Sequence, residues 1–108
     1  MAEEKSFENK IKRYLKDRGW WNVKYFANGY TKAGVPDILT CVNGYFVGIE
    51  VKATNGRPSE LQLHQIQDIR DSGGWAFVVY PSGFKELVRI LDDLSHDIFT
   101  VDVPLIIK

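Results

Sequence analysis

Three residues bracketing one turn are of types that do chemistry together: Asp37 and Glu50, carboxylates that suit a metal ion, and Lys52, which brings a positive charge of its own. The runs 37–42 (DILTCV) and 45–52 (YFVGIEVK) are apolar and rich in β-formers, and Asn43-Gly44 lies between them. That dipeptide is the strongest short-range hairpin signal, because a type I′ turn needs positive φ at both central residues. With Asn43 and Gly44 as the loop, Val42 faces Tyr45 and Ile38 faces Ile49, so the next pair is Asp37 and Glu50. Opposed residues hold their Cβ atoms about 4.5–5.5 Å apart on one face, and Lys52 shares that face because side chains alternate with period two. Two carboxylates so placed repel each other, in strands apolar enough to be covered on both faces. Removing ionised groups from water costs several kcal/mol each unless they are paired or bound to a cation. Lys52 supplies one positive charge, and a hard divalent ion, which prefers oxygen ligands and keeps several waters, supplies the rest. The same residues also read as a Glu50–Lys52 ion pair, with Asp37 capping the loop after Pro36.

Two further polar residues point the same way. Gln62, Ile66, Ile69 and Gly73 stand at i, i+4, i+7 and i+11, so the glutamine lies on the stripe that faces the sheet. A buried amide needs partners, and it finds them either in backbone or in the carboxylate cluster and its water. Glu8 flanks the apolar face made by Phe7, Ile11 and Leu15. It reads either as a first-turn acid favoured by the helix dipole or as one more carboxylate directed at the metal.

The elements that must position these groups follow from periodicity. Ser6 caps a helix carrying Phe7, Ile11, Tyr14 and Leu15, which Gly19 ends. Residues 20–26 (WWNVKYF) read as a strand, followed by a glycine-bearing polar loop from Asn28 to Gly34. After the hairpin and the Gly56-Arg57-Pro58 loop, Ser59 opens a second helix closed by Gly73-Gly74. Residues 75–80 (WAFVVY) form a buried strand. Pro81-Ser82-Gly83 turns the chain into a third helix with Phe84, Leu87, Val88, Leu91 and Leu94 at helical spacing. The apolar tail 98–107 is a candidate edge strand interrupted by Pro104. The order α-β-β-β-α-β-α-β predicts an α/β fold, a mixed β-sheet flanked by helices, in one domain spanning 1–108.

At 108 residues, the chain can bury one real core without disulfides or a structural metal. Its single cysteine, Cys41, allows no internal disulfide and suits a reducing compartment. The first residues lack the apolar stretch of a secretory signal and nothing resembles a membrane span, so the expected address is the cytoplasm. Net charge is zero, but residues 1–57 carry ten Lys/Arg against six acids and residues 58–108 carry four against eight. A phosphate-binding surface is therefore expected on the first half, where Lys10, Arg13 and Lys16 either track a DNA backbone or form the solvated face of a helix.

Gly34-Val35-Pro36-Asp37, Ile49-Glu50-Val51-Lys52, the helix start Gly56-Arg57-Pro58-Ser59-Glu60-Leu61-Gln62 and the Gly73-Gly74-Trp75-Ala76-Phe77-Val78-Val79 exit together resemble the PD-(D/E)xK nuclease superfamily. Within it, the sequence is most similar to the virus-type replication-repair nuclease (VRR-NUC) domains of phages and larger repair nucleases, over roughly residues 5–80. The resemblance implies a restriction-endonuclease-like core and, with it, a bacterial or phage-encoded protein in a host cytoplasm. It implies that Asp37, Glu50 and the backbone carbonyl of Val51 ligate Mg²⁺ or Mn²⁺, with Glu8 completing the set. Lys52 would orient or deprotonate the attacking water. Gln62 would support the site, with Gln65 as the alternative one turn along. The implied reaction is metal-dependent hydrolysis of DNA, and similarity to Holliday-junction resolvases implies a branched substrate and a homodimer. Such chemistry needs a water of lowered pKa and neutralisation of charge growing on the phosphate, both within reach of divalent ions on carboxylates. Thr31 and Lys32, in the loop before Pro36, are placed to touch a phosphate, or are plain solvent loop.

The competing function is a non-catalytic DNA-binding or assembly module that kept the nuclease fold, and the acidic second half suggests a third, a protein adaptor. His64 and His96 have no second ligand at metal spacing. Trp20 and Trp21 are read as packing residues, although adjacent tryptophans also suit base stacking.

Overall fold

The computed structural model describes residues 2–108. Helix α1 (Ala2–Asp17) leads into β1 (Asn22–Lys24), the hairpin β2 (Ile38–Val42) and β3 (Tyr45–Val51), helix α2 (Glu60–Asp71), β4 (Trp75–Val79), a 3₁₀ turn at Pro81–Gly83, helix α3 (Phe84–Ser95) and β5 (Ile106–Ile107). The five strands lie in the order β1-β2-β3-β4-β5. The β1-β2 and β2-β3 pairs are antiparallel, and β3-β4 and β4-β5 are parallel. This is the mixed, helix-covered sheet expected from the element order. Among the described residues no helix is long and apolar enough to cross a membrane.

The hairpin register is the expected one, from Val42 opposite Tyr45 to Ile38 opposite Ile49. Asn43 and Gly44 take φ of 51° and 85°, the left-handed pair that lets a two-residue turn match the twist of its strands. One face of the sheet carries Ile38, Val42, Val47, Ile49, Val51, Phe77 and Val79 against Ile11 and Leu15 of α1 and Leu87, Leu91 and Leu94 of α3. The other face packs Ala76 and Val78 under Ile66 of α2.

Four expectations are corrected. Helix α1 begins at Ala2, not at a Ser6 cap, because Glu3 and Glu4 supply first-turn acids and residues 2–5 all tolerate helix; Glu8 therefore stands in its second turn. Only Asn22–Lys24 of the 20–26 run pairs as strand, since Trp20 turns inward to meet the Tyr14 ring edge-on at 5.8 Å. Cover on both faces holds for β3 over 47–51 but not for β2, where Cys41 is exposed beside Phe46. In the tail only Ile106–Ile107 pairs, after Pro104. Upstream, Arg70 donates to the carbonyls of Val103 (2.6 Å) and Pro104 (3.3 Å) and Phe99 stacks on Trp75, so much of that segment packs onto its own chain.

Close approaches fix how the chain enters Asp37. The Pro36 ring lies 3.0 Å from where a Gly48 side chain would begin, so glycine there lets the proline pack across the hairpin without giving way. Gly34 has φ of +81°, and a Cβ on it would stand 2.8 Å from the Leu61 carbonyl oxygen of α2. Gly34→Ala is accordingly expected to cost about 1–3 kcal/mol in a urea melt, from left-handed strain plus the clash. A stability within ~0.3 kcal/mol of wild type is the outcome that contradicts this.

Candidate active site

Asp37 stands one residue before β2, and its carboxylate does two things: Oδ2 accepts the Val51 backbone N–H at 2.9 Å and Oδ1 accepts from Lys24 Nζ at 3.2 Å. Glu50, near the end of β3, is 1% exposed. Its Oε2 lies 3.3 Å from Lys52 Nζ, and its Oε1 is buried with no hydrogen-bond partner. Burial first, and the negative charge of Asp37 second, push the Glu50 carboxyl up to about 8 against the pull of Lys52. The two acids and the lysine that the hairpin predicts to be neighbours are thus brought together, and an orphaned buried oxygen remains in their midst. Groups of this kind are few in native structures, and each calls for an explanation such as a bound ion.

Glu8 is 3% exposed and reaches this cluster only through Lys24. Lys24 Nζ is 2.8 Å from Glu8 Oε1, and Lys5 (3.3 Å) and Lys12 (3.4 Å) close on Oε2. Burial alone would raise the Glu8 carboxyl, but Lys24 and then Lys5 outweigh it and hold the pKa below the ordinary range. At Lys24, burial lowers the pKa, but Glu8 and then Asp37 more than offset it and keep the ammonium charged to higher pH than usual. Glu8 is therefore the base of a lysine cage, and it is joined to Asp37 across the shared Lys24 ammonium, 2.8 Å from Glu8 and 3.2 Å from Asp37. Among the described residues, no group of three or more His, Cys, Asp or Glu is placed to hold a metal ion.

Lys24 is the residue that sequence reasoning missed. It ends a short strand paired with β2, opposite Ile38, one step from Asp37. The only signal is its place at the end of a β-forming run, and the long connection to β2 fixes no register the way the Asn43-Gly44 turn does.

Gln62 does not join the cluster. Its Oε1 accepts the Ser59 backbone N–H at 2.9 Å while its own N–H donates to Ser59 Oγ at 3.1 Å, the reciprocal capping box of a helix N-terminus. Ser59 at the cap and Gln62 three residues on is that motif's sequence signature, and the local partner wins because it needs no long reach. Gln65, half-buried, sits one turn on in the same helix.

Of the basic candidates, Arg13 and Lys16 are exposed, while the Lys10 ammonium lies 4.3 Å from the Phe84 ring centre, on the α3 side of α1. Thr31 and Lys32 lie in the exposed loop between β1 and β2, where Thr31 Oγ1 accepts the Asn28 N–H and the Lys32 carbonyl accepts from the Tyr25 hydroxyl. His64 is exposed and faces Asp68 at 3.3 Å, and His96 caps the end of α3, so neither approaches the carboxylates.

A search of curated proteins returns no match. The family model described as archaeal Holliday junction resolvase (Hjc) matches residues 2–95, which takes in α1, the hairpin carrying Asp37, Glu50 and Lys52, α2, β4 and α3. The resemblance to PD-(D/E)xK nucleases holds at the level of the superfamily, and the branch whose model matches is that of the archaeal resolvases. With most of its length matched, including every element that builds the carboxylate cluster, the chain belongs to the archaeal Holliday junction resolvase family of nucleases.

Proposed function

We propose that the protein is a Mg²⁺- or Mn²⁺-dependent endonuclease that cuts branched DNA at the Asp37–Glu50–Lys52 cluster and acts as a homodimer. The observation that carries this reading is the buried, unpartnered Glu50 Oε1 beside a second carboxylate. Two carboxylates and no nitrogen or sulfur donor suit a hard cation that keeps much of its water. Asp37 and Glu50 would hold it, with the Val51 backbone carbonyl. A divalent cation bound there supplies a Lewis acid for the phosphate oxygens and a water of lowered pKa.

The chain's own groups do the rest. The Val51 N–H and Lys24 fix the orientation of Asp37. Lys52, half-buried and 3.3 Å from Glu50, places a compact positive charge where an attacking water and a phosphate would meet. Glu8 acts at one remove by holding Lys24, and Gln62 by shaping the start of α2. Lys12, Arg13 and Lys16 of α1 line one surface groove with Asp17 and with Asn22 of β1, a path for the phosphate backbone leading to Lys24. The dimer reading is supported by an uncovered apolar row on the sheet: Trp21, whose carbonyl accepts the Cys41 N–H at 3.1 Å, Cys41 itself and Phe46 opposite it are all exposed.

The deciding assay compares a four-way junction, a flap, a nicked duplex and a plain duplex with Mg²⁺, Mn²⁺ or EDTA. Cleavage of the junction in either metal, absent in EDTA and at least ~10-fold weaker on plain duplex, is expected. No cutting of any branched substrate in either metal defeats the reading. The phosphate path has its own test: Lys12→Gln with Lys16→Gln should lower the slope of log affinity against log salt by about 1–2, near 0.9 for each phosphate that is no longer neutralised. Lys10→Gln should leave the slope unchanged, and a slope altered only by Lys10→Gln refutes the assignment.

A further inference from the structure

The connection between β1 and β2 leaves and re-enters the sheet at the carboxylate cluster. Its first residue is tied to its last: the Tyr25 N–H donates to the Asp37 carbonyl at 2.8 Å, and Lys24 holds the Asp37 side chain. Inside the loop, the Tyr25 hydroxyl donates to the Lys32 carbonyl at 2.9 Å, and Asn28 Oδ1 accepts the Tyr30 N–H at 2.7 Å. Closed ends and internal bonds are the anatomy of a compact surface loop. Yet its two largest other side chains are directed at solvent: Phe26 is 71% exposed and Tyr30 101%. Leaving two aromatic rings in water forgoes the stabilisation that their burial would give.

The charge around them narrows what could cover them. Residues 22–36 contain Lys24 and Lys32 and no acid, and Lys24 Nζ, which also binds Glu8 and Asp37, lies 5.9 Å from the Phe26 ring centre. Exposed rings interleaved with cations suit a ligand offering flat π-faces joined by anions, which is an unpaired stretch of nucleic acid. We propose that Phe26 and Tyr30 form a stacking platform for bases unpaired at the branch point of the DNA, so that this loop tells a branch from a continuous duplex. The inference rests on the nuclease reading above and extends it from cutting to substrate choice.

The test places 2-aminopurine at the branch point of a four-way junction, or inside a plain duplex, and titrates it in EDTA, where binding is read without cutting. The variants are Phe26→Ala, Tyr30→Ala, the double variant and Phe26→Trp, with junction cleavage by wild type in Mg²⁺ measured in parallel. Wild type should change the branch-point fluorescence and prefer the junction. Each alanine should lower junction affinity about tenfold with duplex affinity within twofold, and Phe26→Trp should retain the preference. If wild type cuts the junction and the alanine variants keep its full preference and fluorescence change, the platform is overturned and the nuclease reading stands. If the variants instead alter the oligomeric state in sedimentation with unchanged junction binding, the rings are a contact between copies and the proposal is overturned. If wild type neither prefers nor cuts the junction, both readings fall together.

Discussion

Asp37→Asn, Glu50→Gln and Lys52→Met are each expected to reduce Mg²⁺-dependent junction cleavage by about a thousandfold or more. The magnitude follows from what is removed. Charge stabilisation by a metal at a phosphoryl centre is worth several kcal/mol, and about 4 kcal/mol is a thousandfold in rate. Asparagine at 37 keeps an oxygen for the Val51 N–H, and glutamine at 50 keeps the volume, so neither change should disturb the fold. Circular dichroism, and a urea melt at about pH 5 where Glu50 is itself protonated, would confirm this. Lys52→Met retains the stem of the side chain and removes only the ammonium that sits 3.3 Å from Glu50. Variants that cut within tenfold of wild type would move the chemistry elsewhere. Junction binding that survives in a wild type unable to cut would favour the non-catalytic module.

The second large effect concerns stability and needs no DNA. In EDTA, the folded protein holds the Glu50 proton to about pH 8, whereas the unfolded chain releases it near 4.5. Between those values the native state binds more protons than the unfolded one, so this residue's contribution is complete below about pH 4.5 and drains away as pH rises towards 8. The full slope in that window is about 1.4 kcal/mol per pH unit, and the total is expected to be a few kcal/mol. Wild type should therefore lose urea-midpoint stability relative to Glu50→Gln as pH rises from 5 to 8. The difference between the two proteins isolates Glu50 from the carboxylates whose pKa values are lowered, such as Glu8. Millimolar Mg²⁺ at pH 8 should restore wild type and leave Glu50→Gln unmoved, because a cation selects the ionised carboxylate. A flat difference across that pH range would show that Glu50 is ionised at ordinary pH in the metal-free fold.

The sequence alone determined the part of this protein governed by a few adjacent residues. Asn43-Gly44 admits one tight turn, and the turn with the two-residue alternation dictates that Asp37 and Glu50 meet and that Lys52 joins them. Gly19 ends α1 because only its positive φ of 77° lets the Trp20 and Gly19 N–H groups return to Leu15 and Lys16. Only the tertiary structure decided which distant charges meet. Lys24 is 13 residues from Asp37 and 16 from Glu8, and it bridges them because β1 docks on β2 while α1 packs across the same end of the sheet. Gln62, legible as a sheet-facing amide, turned instead to Ser59, one turn away. Turns and caps are set by backbone sterics over short range, whereas the partner of a long charged side chain is chosen by how separately formed elements pack.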